Sequence, residues 1–139
     1  MGVEKLESII NNVNTLILNE ANWNLLKKST PTLDSPKSLL NLGPKEVIIT
    51  RGSKEVKVYT INETFEVPPF KVKAVDTTGA GDAFVAGYIK ARLEGKSLRE
   101  AIKYALAVAA ITTTKLGVRT SLPRADQVED FIKNYAPTP

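Results

Sequence analysis

Gly79-Ala80-Gly81-Asp82 is the stretch of this chain best equipped to do chemistry. It follows a short β-branched segment, Val72 to Val75, and precedes a helical pattern, so it predicts a turn that opens a helix. Two glycines permit backbone conformations closed to other residues and remove side chains that would block a ligand. The first amides of a helix have no intrahelical partner, and with the helix dipole they make an anion site. Asp82 then falls in the first turn, beside the anion. An alcohol held between its carboxylate and a terminal phosphate would lose its proton to Asp82 as it attacked. The amides of Ala80, Gly81 and Asp82 would meanwhile stabilise charge on the transferring group. The same four residues also read as a plain glycine-rich turn with Asp82 as a capping acid. A bare Gly-x-Gly-Asp does not decide between the two.

Other chemistries are excluded by what the chain lacks. It has no Cys and no His, so thiolate zinc sites, disulfides, histidine metal sites and Ser-His-Asp or Cys-His catalysis are all ruled out. Acid–base work must fall to carboxylates, Lys or Tyr. A P-loop needs Gly-Lys-Ser/Thr, and no Lys follows these glycines. A dinucleotide fingerprint needs a third Gly three places after the second, and that place is Phe84. The net charge is +4, but the Lys and Arg residues are scattered among acids and form no stripe, so no nucleic acid is expected as a partner. The apolar runs are too short to span a membrane, and the N-terminus has no signal-peptide pattern, so the expected compartment is the cytoplasm.

The elements that must position the turn follow from periodicity. With 139 residues, 42% of them hydrophobic, one compact domain over 1–139 is expected. Leu6, Ile9, Ile10 and Val13 predict an opening helix. Leu16-Ile17-Leu18 reads as a buried strand ending at Asn19-Glu20, and a helix from Ala21 to Lys28 should follow. Ser35, Pro36 and Gly43 bracket a short helix. Val47 to Thr50 is a buried strand, and Val56 to Ile61 with Phe65 to Val67 suggests a hairpin. Val72 to Val75 should be a strand leading into the glycine turn. Ala80 to Leu93, rich in Ala and Gly, is the next helix. The Leu98-Ala101-Ile102-Ala105-Leu106-Ala109 rhythm is the clearest helix of all, and a last one opens near Pro123. Thr112-Thr113-Thr114 reads as a fraying helix end. Trp23 reads as packing ahead of a platform for a base, and Arg51 and Arg119 as solvated surface ahead of phosphate ligands. Strands alternating with helices predict an α/β class with a mostly parallel sheet and an inserted hairpin.

The longer string Asp76-Thr77-Thr78-Gly79-Ala80-Gly81-Asp82-Ala83-Phe84 resembles the second signature of the ribokinase-like, or PfkB, carbohydrate kinases over nine consecutive residues. The resemblance implies the carboxyl-terminal, nucleotide-binding half of a three-layer α/β/α fold. It implies Asp82 as catalytic base, with Gly79, Ala80 and Gly81 as the anion hole. Thr50 and Gly52 match a Thr-x-Gly that contacts nucleotide. Thr77, Thr78, Leu106 and Ala109 fall among the nucleotide-binding positions. Asn19 and Glu20 match the start of an Asn-x-x-Glu element that organises magnesium through water. Its last position is Asn22 in this chain, which leaves Glu20 as the nearby carboxylate. Asp76, Gly117 and Ser121 match the neighbours of a monovalent cation, K+, in members that bind one. ATP and Mg2+ are therefore the implied cofactors, and a small sugar or nucleoside the implied substrate. Family members are about twice this length. The half that normally carries a Gly-Gly signature and most sugar contacts has no counterpart in the sequence.

Two alternatives to a self-sufficient kinase stay open. The chain also reads as a non-catalytic nucleotide-binding module, or as a half-domain completed by a partner or by a second copy. Removing half of a parallel sheet leaves an apolar strand such as Leu16–Leu18 or Val47–Ile49 unpaired, and open edges pair, so a homo-oligomer or an associated second chain is expected.

Overall fold

The computed structural model describes residues 3–114 and 123–135. The chain divides into two compact units, one running through Glu66 and the other starting at Val67.

The amino-terminal unit is a sheet with helices. Helix α1 spans Val3–Ile10, strand β1 Thr15–Asn19, helix α2 Glu20–Ser29, strand β2 Glu46–Thr50, strand β3 Val56–Thr60 and strand β4 Thr64–Val67. Between α2 and β2 lies a 3-10 helix, Pro36–Leu42, with Ser35 as its N-cap, Pro at its start and Gly43 at its end. Gly43 has φ 137°, and a Cβ there would lie 2.7 Å from Asn11 Cα, so this corner admits only glycine.

The strands run in the order β1-β2-β3-β4. β1 and β2 are parallel, with Leu16 opposite Val47 and Asn19 opposite Thr50, while β2 and β3 are antiparallel. The sheet is thus mixed, with a parallel pair at one side and the hairpin at the other. The Val47-Ile48-Ile49 run became the central strand, and all three side chains are buried. Each such aliphatic contributes about 1.5–3 kcal/mol by leaving water. Val47 and Ile49 share a cluster with Ile10, Trp23, Leu33 and Leu39. Trp23, 8% exposed, is packing as expected.

The carboxyl-terminal unit is helical among the described residues. Helix α3 spans Ala80–Leu93, α4 Leu98–Thr113 and α5 Ala125–Tyr135. Helix α4 starts at Ser97, whose hydroxyl accepts from the Glu100 N–H at 3.3 Å. Gly87 of α3 turns toward α4. A Cβ on Gly87 would lie 3.0 Å from Val108 Cγ2 and 3.1 Å from Ala105 Cα. Glycine there lets two helix backbones approach closely. Phe70 meets Phe131 edge-on at 5.1 Å, and Phe131 stacks on Tyr135 at 4.6 Å, which anchors α5.

One expected element needs correction. Val72 to Val75 is not a strand. A strand needs a neighbouring ladder, and here the Val75 and Asp76 N–H groups instead both donate to the Thr113 carbonyl, at 2.8 and 3.0 Å. That carbonyl ends α4 and has no intrahelical donor, so one contact satisfies groups on both sides. Thr112–Thr114 lies at the end of α4, as expected. The three hydroxyls donate back to the carbonyls of Val108, Ala110 and Ile111 at 2.8, 2.8 and 2.6 Å.

Candidate functional site

The glycine turn is built in three steps. Asp76 Oδ1 accepts from the Thr78 N–H at 2.9 Å, a side-chain-to-backbone bond that bends the chain. The Ala80 N–H then donates to the Thr77 carbonyl at 3.2 Å. Gly79, at φ 80° and ψ 1°, is the left-handed residue that swings the chain into α3, and its carbonyl accepts the first helical bond from the Ala83 N–H at 2.9 Å. The Ala80 amide is thus engaged inside the turn. The Gly81 and Asp82 amides occupy the next two positions of the first helical turn, where no intrahelical carbonyl reaches them.

Gly81 has no conformational reason to be glycine. Its φ is not positive, and beyond its chain neighbours and its own helix backbone no described atom lies within 4 Å of where a Cβ would sit. In a helix, glycine is less favourable than alanine by about 1 kcal/mol. Gly79 is required by backbone geometry and Gly87 by packing, but Gly81 leaves open space beside the first turn. Asp82 is exposed in that same turn. Thr77 and Thr78 are also exposed, and Asp76 is partly buried. Along α4, Leu106 is buried and Ala109 partly exposed. Gly117, Arg119 and Ser121 lie outside the described residues.

The amino-terminal unit gathers the other predicted residues at the carboxyl ends of its parallel strands. Register places Asn19 beside Thr50, and ligands of open α/β sheets bind at such strand ends. Asn19 caps α2, its Oδ1 accepting from the Asn22 N–H at 2.7 Å. The Thr50 hydroxyl lies 3.5 Å from the Leu18 carbonyl. Gly52, at φ 64°, turns the chain in the open.

Arg51 is neither solvated nor free, contrary to its sequence reading. Its side chain is 16% exposed, its Nε donates to Glu20 Oε2 at 2.9 Å, and its Nη1 bonds Glu55 Oε1. The Glu20 carboxylate, accepting this bond, raises the Arg51 pKa above its ordinary value. Glu55 is held below the ordinary carboxylate range by its own backbone N–H and by the Arg51 charge. The sequence contained one signal for this network, the four-residue spacing of Arg51 and Glu55. The link to Glu20 depends on strand register and was invisible there.

Among the described residues no three Asp or Glu side chains gather into a metal cage. Asn19 Oδ1 and Glu20 Oε2 already have partners. Such a donor set fits a magnesium ion that brings its own waters and phosphate ligands, the usual mode for this cation, rather than one held by protein alone.

A Gly-x-Gly-Asp helix start in one unit and a strand-end Thr-x-Gly in the other are compatible with a phosphate-handling class of protein. Comparison makes this specific: residues 2–125 match the model of the pfkB family carbohydrate kinases, and the chain belongs to that family. It is 40% identical over 92 residues to a ribokinase of Haemophilus influenzae, covering 66% of this chain and 30% of that protein. Other relatives carry the names fructokinase and deoxyribokinase. The crystal structure of a Thermotoga maritima ribokinase superposes with a TM-score of 0.86 at 39% identity, over 92% of this chain and 45% of that one. A putative ribokinase II from E. coli, solved in complex with ATP and Mg2+, superposes with a TM-score of 0.82 at 30% identity, over 94% of this chain and 42% of that one. The fold is ribokinase-like and the lineage is that of kinases. The chain spans less than half the length of these proteins.

Proposed function

We propose that this chain is the nucleotide-handling, carboxyl-terminal part, over 1–139, of a kinase that transfers the terminal phosphoryl group of ATP to an alcohol of a sugar or nucleoside. The observation that carries the reading is Gly81, a glycine that costs helix stability and leaves a gap where a phosphate can approach the Gly81 and Asp82 amides. The Asp82 carboxylate accepts the proton of the attacking alcohol. The two amides and the α3 dipole stabilise negative charge on the transferring group, and Gly79 sets the helix in that attitude.

Thr77 and Thr78 lend hydroxyls to phosphate oxygens. Thr50 and Gly52 contact the nucleotide, and Leu106 and Ala109 wall its base. Asn19 and Glu20 would orient the waters of a magnesium ion, which would neutralise phosphate charge. Asp76, with Gly117 and Ser121, is the place for K+, tested by comparing nucleotide affinity in K+ and Na+. Asp82→Asn should reduce phosphoryl transfer by about a thousandfold or more in any active assembly while ATP binding survives. Turnover that persisted would refute the assignment of the base.

A second reading is supported by the span of the match, under half of each relative. The chain would be a module that binds ATP and is completed by a partner chain or a second copy. Calorimetric binding of ATP without phosphorylation of any sugar or nucleoside would favour it over the first.

A further inference from the structure

Arg51 connects three pieces of backbone that come from distant parts of the sequence. Glu20 opens α2, Arg51 follows β2, and Glu55 precedes β3. The parallel register that sets Asn19 beside Thr50 brings the first two together. Arg51 also starts the turn itself, its carbonyl accepting from the Lys54 N–H at 3.1 Å. Within that turn Gly52, Ser53 and Lys54 are exposed, and no described atom lies within 4 Å of where a Gly52 Cβ would sit. The Arg51 side chain, 16% exposed, is thus the part of the Arg51–Lys54 turn that is packed down.

We propose that Arg51 is a positioning residue: paired with Glu20 and Glu55, it fixes the Thr50–Gly52 turn against the start of α2. The inference rests on the nucleotide contacts proposed above for Thr50 and Gly52. Its physical basis is the guanidinium fork, which is planar and can address two carboxylates in fixed directions where an ammonium cannot. Isolated exposed pairs contribute little, but a guanidinium shared by two carboxylates and mostly shielded from water forms a network that restricts the backbone carrying it. Two of the three guanidinium nitrogens, Nε and Nη1, are committed to carboxylates.

The test is calorimetric titration of ATP into the wild type, R51Q, R51K, E20Q, E55Q and the doubles R51Q/E20Q and R51Q/E55Q. It is run in EDTA, which removes any metal role of Glu20, and well below each variant's melting temperature. R51Q should bind about tenfold more weakly, E20Q and E55Q each a few-fold more weakly, with R51K between them and R51Q. Each double should be no worse than R51Q alone, because all three residues act as one device. If Arg51 touched phosphate directly, E20Q and E55Q would leave affinity unchanged or tighten it by releasing the guanidinium, and the proposal would be overturned. Affinities equal to wild type with only melting temperatures lowered would also overturn it. Should R51Q fail to fold, E55Q carries the decision, since it removes one of the two pairs. A wild type that binds no ATP refutes the nucleotide reading itself, whereas wild-type binding with unchanged variants refutes positioning alone.

Discussion

Helix α3 carries two glycines, Gly81 and Gly87, that answer to different neighbours. At Gly87 a Cβ would press on the Ala105 backbone at 3.1 Å, so Gly87→Ala should lower the melting temperature through crowding worth about 1–3 kcal/mol, checked by thermal denaturation. At Gly81 the space is open, so Gly81→Ala should raise the melting temperature by a few degrees, from about 1 kcal/mol of helix propensity. The same substitution should weaken ATP binding about tenfold, because the added methyl group stands where phosphate approaches. A stabilised variant with unchanged affinity would show that Gly81 does not serve a ligand. At this scale the sequence disclosed much, since residue types at 79–82 are a local pattern and local patterns survive without coordinates. It did not disclose that the Ala80 amide is spent on Thr77, because a single hydrogen bond inside a turn depends on torsion angles rather than on residue identity.

Elements were legible wherever the period was strong. The helix over Leu98–Thr113 and the strand over Glu46–Thr50 emerged with boundaries close to those expected from their apolar rhythm. Val72–Val75 failed because β-branched residues favour extension without supplying a partner, and the Thr113 carbonyl took the amides first. Caps can be tested at this scale. Ser97→Ala removes the acceptor for the Glu100 amide and should cost about 1 kcal/mol, measured by denaturant unfolding. The junction between the ends of β2 and β3 gives a pH prediction. Glu55 has a folded-state pKa below its ordinary 4.5, so the fold favours its charged form. Its contribution is fully present above about pH 4.5 and is lost as pH falls through the depressed value. The difference in melting temperature between wild type and E55Q should therefore be seen at neutral pH and shrink to nothing in strong acid. Arg51 escaped a sequence reading because its partner Glu20 lies 31 residues away and meets it only through strand register.

For the molecule as a whole, the informative contrast is between the two outer strands of the sheet. β4 is four residues long, carries exposed Glu66 and runs into Pro68-Pro69, the features that blunt an edge. β1 has neither charge nor proline, and among the described residues no strand pairs with its outer side. Beside it lies an apolar groove of about 360 Å³, lined mainly by Ile9, Ile10, Leu16, Leu18, Leu25 and Leu26, with Ile9 51% and Leu25 65% exposed. Light scattering of the isolated chain should accordingly show a dimer or a complex with a second chain, and Leu18→Lys should dissociate it; a clean monomer at all concentrations would count against this. One blunted edge and one bare edge give the sheet a valence of one. A chain with two bare edges could add neighbours without limit and grow as a fibre. A sheet with one can be extended a single time and then stops, so association through that edge is self-terminating.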